Sequence, residues 1–235
     1  MSKVIKEFSR FAHQYDQHNE IQAQVAKTLI SKLPKETFKS ILDLGSGSGA
    51  VTKNLHEANY LYEHLSVFDS AQSMLDIHPR AENIIKICGD FNKVNFKEML
   101  PQRQYDLLLS SSALQWSTDL DRTFSVLSTL SNNAYFAIFT SGTFKTLHRL
   151  ANVNSPIYAA AIVEKHIEKY YSEVNFTLHR YTLSFDSVRE MFRYIKKSGV
   201  SAGEKKLGFK ETKRLMESYP LDHLEFEVLF VEAKM

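Results

Sequence analysis

The architecture of the chain follows from one segment, Ile41-Leu42-Asp43-Leu44-Gly45-Ser46-Gly47-Ser48-Gly49-Ala50-Val51. A short apolar run ends in an acidic residue, three alternating glycines follow, and residues 51–58 are amphipathic at helical spacing. This pattern predicts a strand, a tight turn and a helix. Glycines tolerate positive φ and carry no Cβ that would keep a ligand off the backbone, and the next helix begins with unpaired N–H groups. The segment therefore predicts a nucleotide-binding turn.

The glycine spacing separates two ligand classes. A dinucleotide turn has the pattern Gly-x-Gly-x-x-Gly, in which the third glycine lets the helix pack close to the strand. Here the pattern is Gly-x-Gly-x-Gly, with Asp43 two residues ahead of it. This version resembles motif I of the class I S-adenosylmethionine-dependent methyltransferases. The resemblance implies that Asp43 and the turn, with Gly45, Ser46 and Gly47, hold the methionine end of the cofactor. A glycine-rich turn without a ligand also fits these residues alone.

Composition predicts one α/β domain. The chain has 235 residues, 43% of them hydrophobic, and a formal charge of +2, which favours neither disorder nor extensive nucleic-acid binding. A single cysteine, Cys88, excludes an internal disulfide and fits a reducing compartment. No apolar run reaches membrane-spanning length, so we expect a cytoplasmic protein that needs no membrane. The nine histidines show no metal-ligand spacing, and no metal site is predicted.

Two further strand ends carry acidic residues. Asp69 closes a strand predicted over residues 65–69, where a carboxylate can accept both hydrogen bonds of a ribose diol. Asp90 and Phe91 close a third strand over residues 84–91. The methyltransferase resemblance implies that Asp90 binds the adenine amino group and that Phe91 covers the ring. Ser70 and Met74 also lie at positions where the family contacts its cofactor. The acidic ends of the second and third strands favour a cofactor site over a glycine-rich turn without a ligand.

The fourth predicted strand, residues 105–110, brings Ser110 to the same edge of the sheet, and we include Ser110 in the cofactor site. The loop that follows it, residues 110–116, opens where cofactor and substrate meet. Asp106 lies at the opposite end of this strand, which predicts a structural role. We expect a Rossmann-like seven-stranded sheet, mainly parallel with its last strand reversed, and helices on both faces.

The domain is expected to span residues 1–235, with two helical additions. Residues 1–34 form a predicted helical lid ahead of the first strand, and its Tyr15 would face the cofactor. Helices predicted over residues 143–153 and 157–170 form an insert, residues 143–173, over the substrate site. Strands over 134–141, 175–185 and 224–233 and helices over 187–197 and 211–219 complete the order.

Several segments are more specific than the cofactor motifs. They are Phe8-Ser-Arg10, Tyr15-Asp-Gln-His18, Ala113-Leu-Gln-Trp116, Phe139-Thr-Ser-Gly142-Thr-Phe-Lys-Thr-Leu147 and Ile195-Lys-Lys-Ser-Gly-Val-Ser-Ala202. Together they resemble the malonyl-[acyl-carrier-protein] O-methyltransferases of biotin synthesis. The resemblance runs over nearly the whole chain.

This resemblance implies methylation of the free carboxylate of a malonyl thioester, with S-adenosyl-L-homocysteine as the second product. The acceptor is already ionised at neutral pH, so no general base is required. The predicted site residues orient the acceptor or dock its carrier. They are Tyr15, Gln115, Trp116, Lys145, Arg149, Arg193 and Lys196. For Trp116 a core position, and for Lys145 and Arg149 a solvated helix face, are equally open alternatives.

The partner implied is an acidic acyl carrier protein. Residues 186–214 contain nine Lys or Arg against four Asp or Glu, so a basic face is predicted there. Its helical part consists of Arg189, Arg193, Lys196 and Lys197. The protein is expected to be a monomer. The alternatives are a methyltransferase of another small acid or phenol, a methyltransferase-fold protein that binds without catalysis, and a dehydrogenase, which the glycine spacing disfavours.

Overall fold

The computed structural model describes residues 19–197 and 209–235, without the side chains of residues 196, 197, 209 and 210. The predicted lid residue Tyr15 and the side chains of Lys196 and Lys197 lie outside the described residues. The strands are β1 (Phe38–Leu44), β2 (Tyr62–Asp69), β3 (Ile84–Cys88), β4 (Leu107–Ser111), β5 (Asn133–Phe139), β6 (Glu173–Ser184) and β7 (His223–Lys234). The α-helices are α1 (Glu20–Ser31), α2 (Ala50–Glu57), α3 (Gln72–Ile77), α4 (Leu120–Ser128), α5 (Lys145–Leu150), α6 (Ala160–Ile167), α7 (Val188–Lys197) and α8 (Phe209–Ser218).

The seven strands form one sheet in the order β3-β2-β1-β4-β5-β7-β6. Strands β1 to β5 are parallel, whereas β7 runs antiparallel to both β5 and β6. The predicted Rossmann-like sheet with a reversed last strand is confirmed. Strand order reverses between β1 and β4, and the carboxyl ends of strands at such a switch point form the ligand crevice of open α/β sheets. The glycine turn and the loop after β4 both open at this point.

Alternating side chains of β1 pack on opposite faces of the sheet. Ile41 contributes to a core with α1 and α7, and Leu42 and Leu44 contribute to a second core with α4 and α6. Burying these apolar side chains stabilises the fold by roughly 25 cal/mol per Å² removed from water. Helices therefore cover both faces and leave the carboxyl edge of the parallel strands to the loops.

The two ends of the parallel strands differ in their use of acidic residues. At the amino ends, the Asp106 carboxylate accepts hydrogen bonds from the Lys39 and Ser40 backbone N–H groups at 2.6 and 3.1 Å, which confirms its structural role. At the carboxyl end, β3 stops at Cys88 rather than at the predicted Phe91. The chain turns there because the Asp90 carboxylate accepts a hydrogen bond from the Asn92 N–H at 2.9 Å.

Candidate active site

The glycine turn after β1 has three positive φ angles, 77° at Gly45, 53° at Gly47 and 90° at Gly49. Its first two glycines face different surroundings. A Cβ on Gly45 would lie 2.1 Å from the Ala113 Cβ, so the loop after β4 packs directly on the turn. A Cβ on Gly47 would meet no described atom within 4 Å. Gly45 is therefore needed for packing, and Gly47 leaves its backbone open toward a ligand.

Asp43, the last residue but one of β1, has a fully buried carboxyl group. Neither of its oxygens has a hydrogen-bond partner among the residues that the structure describes. Burial, and secondly the charge of Asp69, raise the pKa of Asp43 to about 8. An unpaired buried carboxylate is costly, and a cation in contact with it would remove that cost.

Asp69, at the end of β2, holds the glycine turn. Its Oδ2 accepts a hydrogen bond from the Gly47 N–H at 2.8 Å, and its Oδ1 accepts one from the Ala71 N–H at 2.8 Å. Burial raises the pKa of Asp69, and these backbone hydrogen bonds partly offset that rise. A carboxylate oxygen has room for a second hydrogen bond, so both remain able to accept from a ligand hydroxyl.

The other predicted cofactor residues lie along the same edge of the sheet. Asp90, Phe91 and Ser70 are half-buried, and Met74 is buried in α3. The Ser46 hydroxyl is buried with no partner in the described part of the chain. The Ser110 hydroxyl donates to the Leu44 carbonyl at 2.7 Å, which ties β4 to β1. Because that proton is used within the sheet, Ser110 can offer a ligand only its oxygen lone pairs.

The loops after β4 and β5 border an open cavity with about 540 Å³ of empty space, part of which is continuous with the solvent. Its apolar wall includes Phe139, Phe144, Ile157 and Phe226. Its polar groups come from Gln22 of α1, from the loop after β4, from α5 and from the loops on either side of α5. They are the side chains of Gln22, Ser112, Gln115, Trp116, Thr143, His148 and Ser155. The loop after β4 borders this cavity and also packs on the glycine turn through Ala113.

Gln115 and Trp116 both line this cavity. The Gln115 Nε2 donates to the Ser112 carbonyl at 2.7 Å, which orients its Oε1 away from that bond. The Gln115 Oε1 and the Trp116 Nε1 are buried, and neither has a partner within residues 19–197 and 209–235. Buried polar atoms of this kind normally have partners, so their concentration here indicates a binding site.

The two predicted cationic residues of the insert, Lys145 and Arg149, do not line the cavity. Lys145 and Arg149 are exposed, because the two residues are four apart in α5 and share its outward face. The residue of this helix that reaches the cavity is His148, which sequence reasoning missed. The lining side chains described for the cavity include no lysine or arginine. On α7, Arg189 and Arg193 are both exposed and form the described part of the predicted basic face.

Strand β7 holds the insert in place through two carboxylates. Glu225 Oε2 accepts a hydrogen bond from the Thr146 N–H in the first turn of α5 at 2.8 Å. Glu227 Oε1 accepts one from the Thr140 hydroxyl at 2.7 Å, and a Cβ on Gly142 would lie 2.3 Å from that oxygen. Gly142 therefore packs closely on the Glu227 carboxylate, and a side chain at this position would have to displace that carboxylate.

A family model described as a methyltransferase domain matches residues 42–137, from β1 to β5. With the strand order and the glycine turn, this match defines the class of fold. The chain has the Rossmann-like fold of the class I S-adenosylmethionine-dependent methyltransferases, and S-adenosylmethionine is its cofactor. In the described residues, no helix is both long and apolar enough to cross a membrane.

Similar proteins include several malonyl-[acyl-carrier protein] O-methyltransferases. The one from Bacillus cytotoxicus is 25% identical over 221 residues, which cover 83% of this chain and 75% of that protein. The one from Anoxybacillus flavithermus is 31% identical over 162 residues, which cover 67% of this chain and 58% of that protein. The matched part of this chain thus spans little more than half of some of these relatives.

Solved structures share the fold. The YcgJ protein from Bacillus subtilis has a TM-score of 0.62 at 11% identity, covering 90% of this chain and 98% of its own. Phosphoethanolamine N-methyltransferase 2 from Haemonchus contortus, in complex with S-adenosyl-L-methionine, has a TM-score of 0.55 at 14% identity, covering 96% of this chain and 57% of its own. At these identities the likeness establishes the architecture alone.

Proposed function

We propose that the protein transfers a methyl group from S-adenosylmethionine to the free carboxylate of a malonyl thioester on an acyl carrier protein. The observation that carries this proposal is the cavity beside the glycine turn, with the unpaired Gln115 Oε1 and Trp116 Nε1 in its wall. The relatives that share the surrounding sequence bear the name of this activity. The reaction belongs to the early steps of biotin synthesis.

The described residues fit the cofactor. The unpaired Asp43 carboxylate would bind the ammonium of the methionine end, and the open backbone at Gly47 admits the ligand without a clash. Asp69 would accept hydrogen bonds from the ribose hydroxyls, and Asp90 would bind the adenine amino group. When bound, the cofactor supplies a methyl group on a positively charged sulfur.

The residues of the cavity would orient the acceptor carboxylate and exclude water from it. The acceptor carboxylate is ionised at neutral pH, because its pKa lies far below 7, and needs no general base. The Trp116 indole N–H would donate to it, and the apolar wall of Phe139 and Phe144 would strip part of its water. Neutral donors orient an anion without the strong pairing to a cation that would lower its nucleophilicity.

The direct test is methyl transfer from labelled S-adenosylmethionine to malonyl-carrier protein. We expect a base-labile methyl ester on the acyl group. A protein that binds the cofactor normally and yet forms no ester would refute the proposal. The same assay with other small acids and with phenols tests the second candidate, because a neutral, partly apolar cavity also suits those acceptors. Binding without transfer to any acceptor would favour a non-catalytic role.

The exposed arginines of α7 give a prediction about the carrier. Changing Arg189 and Arg193 together to glutamate should raise the KM for malonyl-carrier protein about tenfold at low salt, because acyl carrier proteins are acidic. The KM for malonyl-pantetheine, which lacks the protein, should not change. Arg103→Glu is the matched control, since Arg103 is exposed before β4, at the far edge of the sheet. Equal KM values in the double variant and the wild type would exclude docking at α7.

A further inference from the structure

Among the described residues that line the cavity, His148 is the one with an ionisable side chain, and the proposed chemistry does not use it. Its side chain is half-buried, and its Nδ1 is buried with no hydrogen-bond partner in the described structure. The imidazole packs edge-on against Phe144, at 6.4 Å between ring centroids. Burial lowers the pKa of His148, which favours the neutral ring at physiological pH. A neutral imidazole can donate one hydrogen bond without bringing a positive charge.

A purely structural role explains this placement poorly. A histidine that only filled space beside Phe144 would be more stable with a hydrogen-bond partner for its Nδ1. In the described structure the free-energy cost of removing this Nδ1 from water is not offset by such a bond. His166, on the neighbouring helix α6, shows the ordinary alternative, because its Nδ1 is 2.7 Å from the Ile162 carbonyl of its own helix. The Nδ1 of His148 has no such bond in the described residues, and His148 is one of the residues that line the cavity.

The helix that carries His148 is fixed to the sheet rather than free to adjust. The Glu225 carboxylate binds the Thr146 N–H, and the Phe144 N–H donates to the Glu225 carbonyl at 2.8 Å. Phe144 itself is buried against Phe226, at 5.1 Å between ring centroids. The start of α5 is therefore fixed on β7, and His148 lines the cavity from a different element than Gln115 and Trp116 do.

We propose that His148 is a specificity-determining residue that recognises the acceptor carboxylate, with its neutral imidazole donating a hydrogen bond from Nδ1 into the cavity. This inference rests on the proposed transfer to a carboxylate. It adds that a carboxylate is preferred to an uncharged acyl group of the same size because α5 supplies this donor. The exposed cations Lys145 and Arg149 on the same helix have no part in it.

Trp116 provides the measurement, because it is the sole tryptophan of the chain and lines the cavity. Its fluorescence is followed while malonyl-, succinyl- and butyryl-pantetheine are titrated into the protein saturated with S-adenosylhomocysteine. Butyryl extends as far from the thioester carbonyl as malonyl does, has one heavy atom fewer and lacks the carboxylate. The variants are His148→Leu, which fills the space without a donor, His148→Asn, which restores an amide donor near the position of Nδ1, and His166→Leu as the matched control.

In His148→Leu we expect the ratio of malonyl to butyryl affinity to fall at least about tenfold, with butyryl affinity kept. His148→Asn should recover much of the ratio, and His166→Leu should leave it unchanged. The melting temperature of His148→Leu should equal or exceed that of the wild type, since an unpaired buried atom is removed. A lower melting temperature with an unchanged ratio would show that His148 is structural and overturn the proposal.

Failure of the proposed function gives a different result. If the wild type prefers succinyl to malonyl, or binds malonyl and forms no methyl ester, the choice of substrate is wrong. The role of His148 still stands if His148→Leu removes the preference for the carboxylate thioester over butyryl. The role of His148 is also refuted if neither malonyl- nor succinyl-pantetheine changes the fluorescence of the wild type. The same holds if butyryl-pantetheine binds as tightly as both of them.

Discussion

Asparagine in place of Asp43 is expected to lower the affinity for S-adenosylmethionine at least about 100-fold while raising the melting temperature of the cofactor-free protein. Both effects come from the same carboxylate, which is fully buried and has no partner among the described residues. Asparagine removes the charge that would bind the cofactor ammonium. It also removes the cost of burying that charge when no cofactor is bound.

The stabilisation should depend on pH. The pKa of Asp43 is raised from 3.8 to about 8 in the folded chain, so the folded state holds the proton more tightly than the unfolded state does. The protonated acid therefore supports the fold at low pH, and this support is lost as pH rises through 8. The gain from asparagine should be small near pH 4, grow up to about pH 8 and then level off. Melting curves of the cofactor-free proteins at several pH values measure it.

Cofactor binding should also release a proton. Near pH 6.5 the free protein holds Asp43 protonated, and pairing with an ammonium requires the carboxylate, so about one proton should leave per cofactor bound. Calorimetry in buffers of different ionisation enthalpy measures this number, which should fall to near zero in Asp43→Asn. Asp121→Asn, at a half-exposed position of α4, is the control. Wild-type affinity in Asp43→Asn would show that Asp43 does not bind the cofactor.

Alanine substitutions at Gly45 and Gly47 should have different effects, the first on the stability of the fold and the second on the affinity for the cofactor. At Gly45 the new Cβ would lie 2.1 Å from the Ala113 Cβ at a φ of 77°, and overpacking with strain should cost several kcal/mol, or about 10 °C of melting temperature. At Gly47 the φ of 53° should cost only about 1 kcal/mol, because no described atom stands in the way. The Cβ there enters the space left for the ligand, so cofactor affinity should fall more than about tenfold.

Thermal unfolding and cofactor calorimetry on the two variants check this ordering. The expected pattern is a strongly destabilised Gly45→Ala and a nearly normally folded Gly47→Ala that binds poorly. Gly142→Ala is an informative companion, because its Cβ would meet the Glu227 carboxylate and disturb the insert rather than the turn. If Gly47→Ala bound the cofactor as the wild type does, the ligand would not lie over Gly47.

The sheet and the order of its elements could be predicted because their signals are local. A glycine turn follows the first apolar strand, and the acidic residues Asp69 and Asp90 stand at the predicted ends of the next two strands. This pattern predicts a parallel sheet and the edge of the sheet where its ligand binds. The bond between Asp69 and the Gly47 N–H could not be predicted. It joins residues 22 apart that meet only through the pairing of β1 with β2.

The acceptor side was less accessible to sequence reasoning. Charge pointed to Lys145 and Arg149, but charge does not give the rotation of a six-residue helix about its axis, and the structure leaves both residues in solvent. His148 carries no motif. Gln22 is a polar residue on an otherwise amphipathic helix, which ordinarily indicates solvent exposure. Their place at one cavity follows from tertiary packing of α1 and α5, which no short pattern encodes.

The position of β7 between β5 and β6 has a consequence for how the two halves of the site mature during synthesis. Strands β1 to β4, with the glycine turn, can pair as soon as they are made, whereas β6, an edge strand of the sheet, pairs with β7 and so waits for a later segment of the chain. Glu225 and Glu227 arrive with β7 and anchor the chain that carries His148. A nascent chain would thus first form the crevice that binds the nucleoside. The cavity that selects the methyl acceptor would form only at the last stage of folding.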